Sequence, residues 1–461
     1  MLGALSITNI GCKKSLDLTA PDLITDDKAF TNVASLERGI VGTYAQFNAS
    51  TFDNEVYANA LYTDEANLPT ENTTGRGVIA YRWQTDPGNA EVTSAWAAYY
   101  FAIDRANRIL AAIDAVPAPT PQDVTNKNRI KGEALALRAF GHLQLLINFS
   151  DGYNPTALAV PYMDKSTISK PSRNTVADVF TKLKSDLATA ITLIPATGLP
   201  STFANRARIT LPAVYAIQAR AALYEKKWDD AIAAATLAIN AVPLATIAQY
   251  PGIWTDASST EVIWKLKRVS GETRIGDIFW DRGQSIVVYG VSEKLRNQFN
   301  TATDIRYASL VRLRGAGRFS LGKYIGGDPL IPNLADCKIF RTAEMYLIRA
   351  EAYAEKDQLA NAAADVNALL TQRITGYVNQ TFATKADAIN VIINERFKEL
   401  AFEGHRMNDL RRRLLPVNRL AADAINAQGA VNLLPASPVY NWPIPNTEIL
   451  ANENMVQNKG Y

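Results

Sequence analysis

LPAVYAIQARAALYEKKWDDAIAAATLAINAVP, residues 211–243, decides the fold class. Tyr215, Ala219, Trp228, Ala231, Ala238 and Pro243 fall at the spacing of the small and large positions of a tetratricopeptide repeat. The small residues let two antiparallel helices approach closely. The aromatics fill the space between them, and the proline ends the second helix. AEMYLIRAEAYAEKDQLANAAADVNALL, residues 343–370, repeats the register through Tyr346, Ala350, Tyr353, Leu359 and Ala362. One match in an alanine-rich helix carries little weight, but two make a helical-hairpin scaffold. The two are not in tandem, because residues 244–338 intervene.

Working outward, residues 94–114 place Trp96, Tyr100, Ile103, Ile109 and Ile113 at helical spacing. A proline-rich break at 117–121 ends that helix. A further helix is predicted over 127–149, with Leu135, Leu137, Phe140, Leu143 and Leu146 in an apolar run. Asn174-Thr175 opens another, which runs to about Ile194 and stops at Pro195. Two stretches differ in kind. Residues 261–269, EVIWKLKRV, have a strand-like core. Residues 271–290, GETRIGDIFWDRGQSIVVYG, and 64–92, DEANLPTENTTGRGVIAYRWQTDPGNAEV, read as long loops, the first of them with a short strand. The expected fold is mainly α, with a loop-rich irregular half containing short strands.

Hydrophobic residues make up 48% of the 461 and charged residues 20%, as in a globular protein. Lys+Arg 48 against Asp+Glu 45 gives +3, which supplies no electrostatic reason to expect nucleic-acid binding. Cys12, Cys337, His142 and His405 are too few and too scattered for a zinc site, and two cysteines make no disulfide framework. No cofactor is expected. Residues 2–11, LGALSITNIG, are uncharged and mostly apolar, and read as the end of a signal peptide cut before Cys12. Cys12 would then carry a lipid, and attachment to a membrane would run through it alone. The other reading is an apolar N-terminus with an incidental cysteine. Residues 12–32 read as a tether. Residues 33–461 read as one domain with loop-rich insertions at about 50–92 and 244–338.

Catalytic motifs fail on inspection. Gly317 to Lys323 satisfies the glycine and lysine part of a P-loop, but Tyr324 stands where the magnesium-binding hydroxyl belongs. Neither a nucleophile elbow nor H-E-x-x-H occurs. His142 sits on an apolar helical face and reads as a packed residue. Residues 394–413, NERFKELAFEGHRMNDLRRR, interleave carboxylates and guanidiniums at three- and four-residue spacing. This reads as a structural ion-pair network along a helix, with the cations holding the acids ionised. The chain is therefore expected to bind rather than to catalyse. Trp254 and Trp264 read as core. The candidate ligand-binding residues are loop aromatics and their polar neighbours: Tyr81, Arg82 and Trp83 in one loop, Trp280, Arg282 and Tyr289 in the other. Phe279, Asp86 and Asn89 lie beside them. Such rings stack on sugars or peptide side chains, or else pack the loops onto the scaffold.

Segments spread along the chain resemble the SusD/RagB family of Bacteroidetes outer-membrane lipoproteins. They are Cys12-Lys-Lys-Ser-Leu-Asp17, EALALRAFGHLQLL (133–146), Val160-Pro161-Tyr162, Arg173 to Val176 leading to Asp186-Leu187, RTAEMYLIRAEAYAE (341–355) and ERFKELAFEGHRMNDLRR (395–412). The most specific is YNWPIPNTEILANENMVQNKGY (440–461), with Pro443-Ile444-Pro445, Glu448-Ile449, Gln457-Asn458 and Gly460-Tyr461. The resemblance implies a right-handed superhelix of tetratricopeptide-like helix pairs. It also implies lipidation at Cys12, exposure at the cell surface, and a SusC-like TonB-dependent transporter as partner. The ligand it implies is an oligosaccharide or a peptide. Asn9 departs from the family pattern, in which leucine usually precedes the cysteine by three.

Overall fold

The computed structural model describes residues 26–315 and 317–461. The expected signal segment, Cys12 and most of the tether lie outside the described residues. Eleven helices carry the scaffold: α1 Val33–Tyr44, α2 Asn54–Tyr62, α3 Ala90–Ala112, α4 Pro121–Phe149, α5 Val176–Leu193, α6 Leu211–Glu225, α7 Trp228–Ala241, α8 Thr342–Glu355, α9 Leu359–Thr371, α10 Lys385–Glu399 and α11 Arg406–Arg413. From α3 to α7 each packs on the next. α7 then packs on α8, which also contacts α9 and α10. The two hairpins that the sequence separates are thus neighbours in space. Ala231, Ala238, Ala350 and Ala362 are fully buried at these seams, where a larger side chain would hold the backbones apart.

Helix starts follow local chemistry. The Thr120 hydroxyl accepts from the Asp123 N–H at 3.1 Å, and Pro121 occupies the first turn. α4 therefore begins ahead of the expected residue 127, because proline is preorganised for a first turn. Thr175 and Asp178 form the same capping box for α5, which starts where Asn174-Thr175 is expected to open a helix. α2 falls inside the stretch expected to be irregular from about residue 50. Its Val56, Ala60 and Leu61 are completely buried, so apolar contact rather than loop chemistry governs it. Ahead of α1, Asp26–Ala29 makes one helical turn and Phe30 packs on the core, so this part of the expected tether belongs to the fold.

The irregular half holds short strands: β1 Ala66–Asn67, β2 Val262–Leu266, β3 Trp280–Asp281, β4 Ile286–Val287, β5 Gly290–Val291, β6 Val311–Leu313, β7 Phe319–Leu321 and β8 Cys337–Arg341. β2 pairs antiparallel with β8, and every residue of both is buried. Trp264 on β2 sits among Tyr44, Phe47, Phe140 and Phe340, at ring separations of 4.9 to 6.4 Å. Trp254 is buried as well, so both tryptophans are core residues.

Residues 394–413 do form an ion-pair network, but mostly between elements rather than along one helix. Arg341 on β8 reaches Glu261 at 2.6 Å, Glu399 at 2.8 Å and Glu403 at 2.7 Å. Arg373 pairs Glu261 and Glu399, Arg396 pairs Asp409, and Arg406 pairs Asp64. The physical reason is a break between α10 and α11 at Leu400–His405, which turns the charges toward β8 and toward Asp64 just beyond α2. Burial alone would raise the Glu399 carboxyl. The guanidiniums of Arg373, Arg341 and Arg306 overcome this and hold it well below the carboxylate range.

Glu65 behaves oppositely. Burial, only partly offset by Arg406, pushes its carboxyl up to about 8. A carboxyl raised from 4.5 in the unfolded chain is protonated in the folded state. Its contribution is complete below about pH 4.5 and is lost as pH rises toward 8. Glu65→Gln should therefore raise Tm at about pH 8.5 more than at about pH 5. Equal shifts in thermal scans at the two values would refute this.

The C-terminal run is pinned by its polar side chains. The Asn458 amide donates to the carbonyls of Phe149 at 2.9 Å and Trp442 at 2.6 Å. Gln457 bonds both backbone groups of Ile444. Gly460 has φ +103, and a Cβ there would lie 2.3 Å from Pro438, so only glycine fits. Asn458→Ala orphans the Trp442 carbonyl and leaves that of Phe149 with Arg173 alone, at 3.2 Å, and should cost about 1–3 kcal/mol. The urea midpoint measures it.

Candidate ligand-binding site

Loops 64–92 and 271–290 come from distant parts of the chain and meet. β1 pairs with β5, setting Ala66 opposite Val291, and the sheet continues through β7 to β6. Arg76 faces Asp281 at 3.6 Å, and Arg318 pairs Glu71 at 2.7 Å.

The six residues expected to bind ligand divide among three places. Tyr81, Arg82 and Trp83 form a packing joint. The Arg419 guanidinium lies 3.9 Å from the Tyr81 ring centre and 4.5 Å from that of Trp83. Tyr81 is fully buried and donates its hydroxyl proton to the Asp423 carbonyl at 2.6 Å. Trp83 donates to Tyr62, and Arg82 to Asn426. Arg419 itself donates to the carbonyls of Leu61, Thr63, Tyr81 and Ala430. The expectation that Tyr81 presents a face to a ligand is corrected, because a guanidinium from far along the chain covers that ring. Tyr289 is corrected likewise. It is fully buried, edge-on to Tyr57 at 5.6 Å.

Trp280 and Arg282 lie elsewhere, on a cleft of about 370 Å³ walled also by Arg312, Arg314, Asp328 and Asn333. Trp280 is only 9% exposed. Arg314 stands 4.4 Å and Arg318 5.6 Å from its ring centre, so guanidiniums cover the face expected to be open. The β6–β7 hairpin sets Arg312 opposite Ser320, and Gly315 and Gly317 turn it at φ +113 and +72. Gly326 forms part of the floor at φ +67, and a Cβ there would lie 2.1 Å from the Leu334 carbonyl oxygen. A neighbouring cleft of about 310 Å³ is walled by Asn67, Thr70, Glu71, Arg296, Arg318 and Phe319. There Arg296 stacks on Phe319 at 3.8 Å.

The arginines of this region were missed as site residues. Their signal was present in VRLRGAGRF (311–319), where three arginines flank a glycine turn. The P-loop fragment overlapping it is unsuited to phosphate. Lys323 is buried, bonding Glu403 at 2.7 Å and the carbonyls of Glu399 and Ala401. His142 is a packed residue. Its Nε2 accepts from the Met163 N–H at 2.9 Å, and its ring stacks on Tyr162 at 3.8 Å. Burial drops its pKa to about 3, so it stays neutral. Among the described residues no group of His, Cys, Asp or Glu is arranged to hold a metal ion.

A sequence profile of the SusD family matches residues 331–461, and a second, described as starch-binding associating with outer membrane, matches 16–223. The chain belongs to the SusD family. It is similar over 128 residues to the starch-binding protein SusD of Bacteroides thetaiotaomicron, at 35% identity. That match covers 27% of this chain and 22% of that protein. SusD-like protein P2 of Formosa agariphila is 24% identical over 99% of this chain and 98% of its own length. A solved SusD-like carbohydrate binding protein from Bacteroides vulgatus superposes with a TM-score of 0.79 at 24% identity, covering 92% of this chain and 98% of its own. A laminarin binding SusD-like protein superposes at 0.71 and 18% identity, covering 94% and 100%. At these identities the superpositions establish the family's mainly α, tetratricopeptide-like fold for this chain. The profile at 331–461 also contains the C-terminal run whose pinning is described above, so family membership and local chemistry coincide there.

Proposed function

We propose that this protein binds a glycan at the outer membrane and passes it to a SusC-like TonB-dependent transporter, held there by a lipid on Cys12. The observation that carries the binding reading is the cleft beside Trp280. Guanidiniums, Asp328 and Asn333 converge there on a concave surface, in the loop-rich half and off the helical scaffold. The names of its relatives, starch-binding and laminarin binding, favour a glycan over a peptide. Among the described residues no helix is long and apolar enough to cross a membrane. Binding without turnover is favoured by the state of the acids. Glu399, Glu403 and Asp409 are held low by paired cations, and the raised carboxyl of Glu65 is buried, whereas a general acid needs a raised carboxyl that reaches the substrate.

Isothermal titration against a panel of oligosaccharides and oligopeptides tests this. Roughly micromolar binding of a glycan, with no new reducing ends on prolonged incubation, is the expected result. Arg282→Gln with Arg312→Gln should weaken it. Peptide binding alone would replace the glycan by a peptide, and sustained product release would overturn the non-catalytic reading. The transporter step is tested by co-purification with a barrel from outer membranes, which a Cys12→Ala chain should lose on washing.

A further inference from the structure

The Trp280 cleft is unusual in this molecule for the company its arginines keep. Many guanidiniums elsewhere are neutralised, since Arg341, Arg373, Arg396, Arg406 and Arg412 each hold at least one carboxylate, and others, Arg173, Arg411 and Arg419, are buried against backbone carbonyls. Arg282, Arg312 and Arg314 line the cleft, and among the described residues none has a carboxylate within ion-pair distance. Arg314 spends its Nε–H on the Ser320 hydroxyl at 3.0 Å. The nearby acids are committed elsewhere. Asp281 faces Arg76, Glu71 holds Arg318, Asp277 accepts from Asn333, and Asp328 accepts from the Leu330 N–H.

The lining therefore carries three arginines against one aspartate, a net +2, in a chain whose total is +3. Gathering like charges is unfavourable, and the strain is visible at Arg314. Burial first, then Arg312, Arg282 and Arg318, lower its proton affinity. Packing requirements do not explain Arg282 and Arg312, because both are exposed. An anion in the cleft would relieve the repulsion. Guanidinium forks suit carboxylate and sulfate oxygens, which they meet in paired hydrogen bonds.

Resting on the glycan reading above, we infer that the ligand of this cleft is an anionic glycan, whose uronate carboxylates or sulfate esters are held by Arg282, Arg312 and Arg314. The recognition is charge-led, with Trp280 serving as the support that sets two guanidiniums in place.

The test uses matched probes on the full chain: oligogalacturonate, its methyl ester, a sulfated galactan oligosaccharide and its desulfated form. At least one charged member should bind tenfold or more tightly than its neutral partner, and the preference should shrink as salt rises. Which pair discriminates tells carboxylate from sulfate. Arg282→Gln with Arg312→Gln should erase the preference, with Tm checked. Lys165→Gln, an exposed lysine outside the cleft, should keep it. Equal binding of charged and neutral partners overturns this inference and leaves the glycan reading standing. No binding to any glycan removes both. A charge preference that survives the double variant, or equal binding of single-stranded DNA, overturns the assignment to this cleft.

Discussion

Arg341→Met should lower unfolding stability by about 3–5 kcal/mol, the largest loss expected from any single charged residue here. Arg341 is completely buried at the end of β8 and compensates Glu261, Glu399 and Glu403 together. Methionine fills much of the space but leaves three carboxylates around an apolar side chain. The remaining cations, Arg373, Arg306 and Lys323, neutralise them only in part. The loss should depend on pH. Glu399 and Glu403 are held below their ordinary range, burial opposing and the guanidiniums prevailing. Their stabilisation is complete above about pH 4.5 and fades as pH falls through the folded-state values. Urea titrations at about pH 7 and about pH 3.5 should therefore show the gap between variant and parent narrowing in acid. A constant gap would mean that Arg341 acts through packing alone.

Trp264→Ala should cost about 3–5 kcal/mol, the range for truncating a large buried aromatic. Its indole touches the elements that join the two halves: Tyr44 and Phe47 from the first part of the chain, Phe140 from α4, and Phe340 from the paired strand. The indole N–H has no acceptor, so Trp264→Phe keeps the ring contacts and removes an unmade hydrogen bond. That variant should lose distinctly less. Denaturant midpoints of the two variants decide between packing and polarity as the source of the effect.

How far such residues could be read in advance depends on the range of their contacts. Tyr215 to Pro243 and Tyr346 to Ala362 were legible because a helix pair fixes its own small and large positions locally. Thr175 was legible for the same reason, since its cap partner is three residues away. Trp264 was readable as core from the apolar strand around it. Tyr81 and Tyr289 were not readable as packed residues, because what covers them comes from far along the chain. Arg419 lies on Tyr81, and Tyr57 on Tyr289. Trp280 and Arg282 were placed on the cleft they share, but the charge that defines that cleft came from Arg312 and Arg314 across a hairpin.

The sequence by itself determined the helical hairpins, the family and the loop-rich half, because each rests on short-range spacing or on motifs written in one stretch of chain. Only the tertiary structure decided that the separated hairpins are neighbours, that charges of 394–413 pair with Arg341 on β8 and with Asp64, and that Tyr81, Trp83 and Tyr289 pack while Trp280 and Arg282 reach a cleft. Those outcomes depend on which distant side chain reaches a ring or a carboxylate first. Burial and Coulomb attraction settle that contest in three dimensions, and a residue's neighbours in sequence take little part in it.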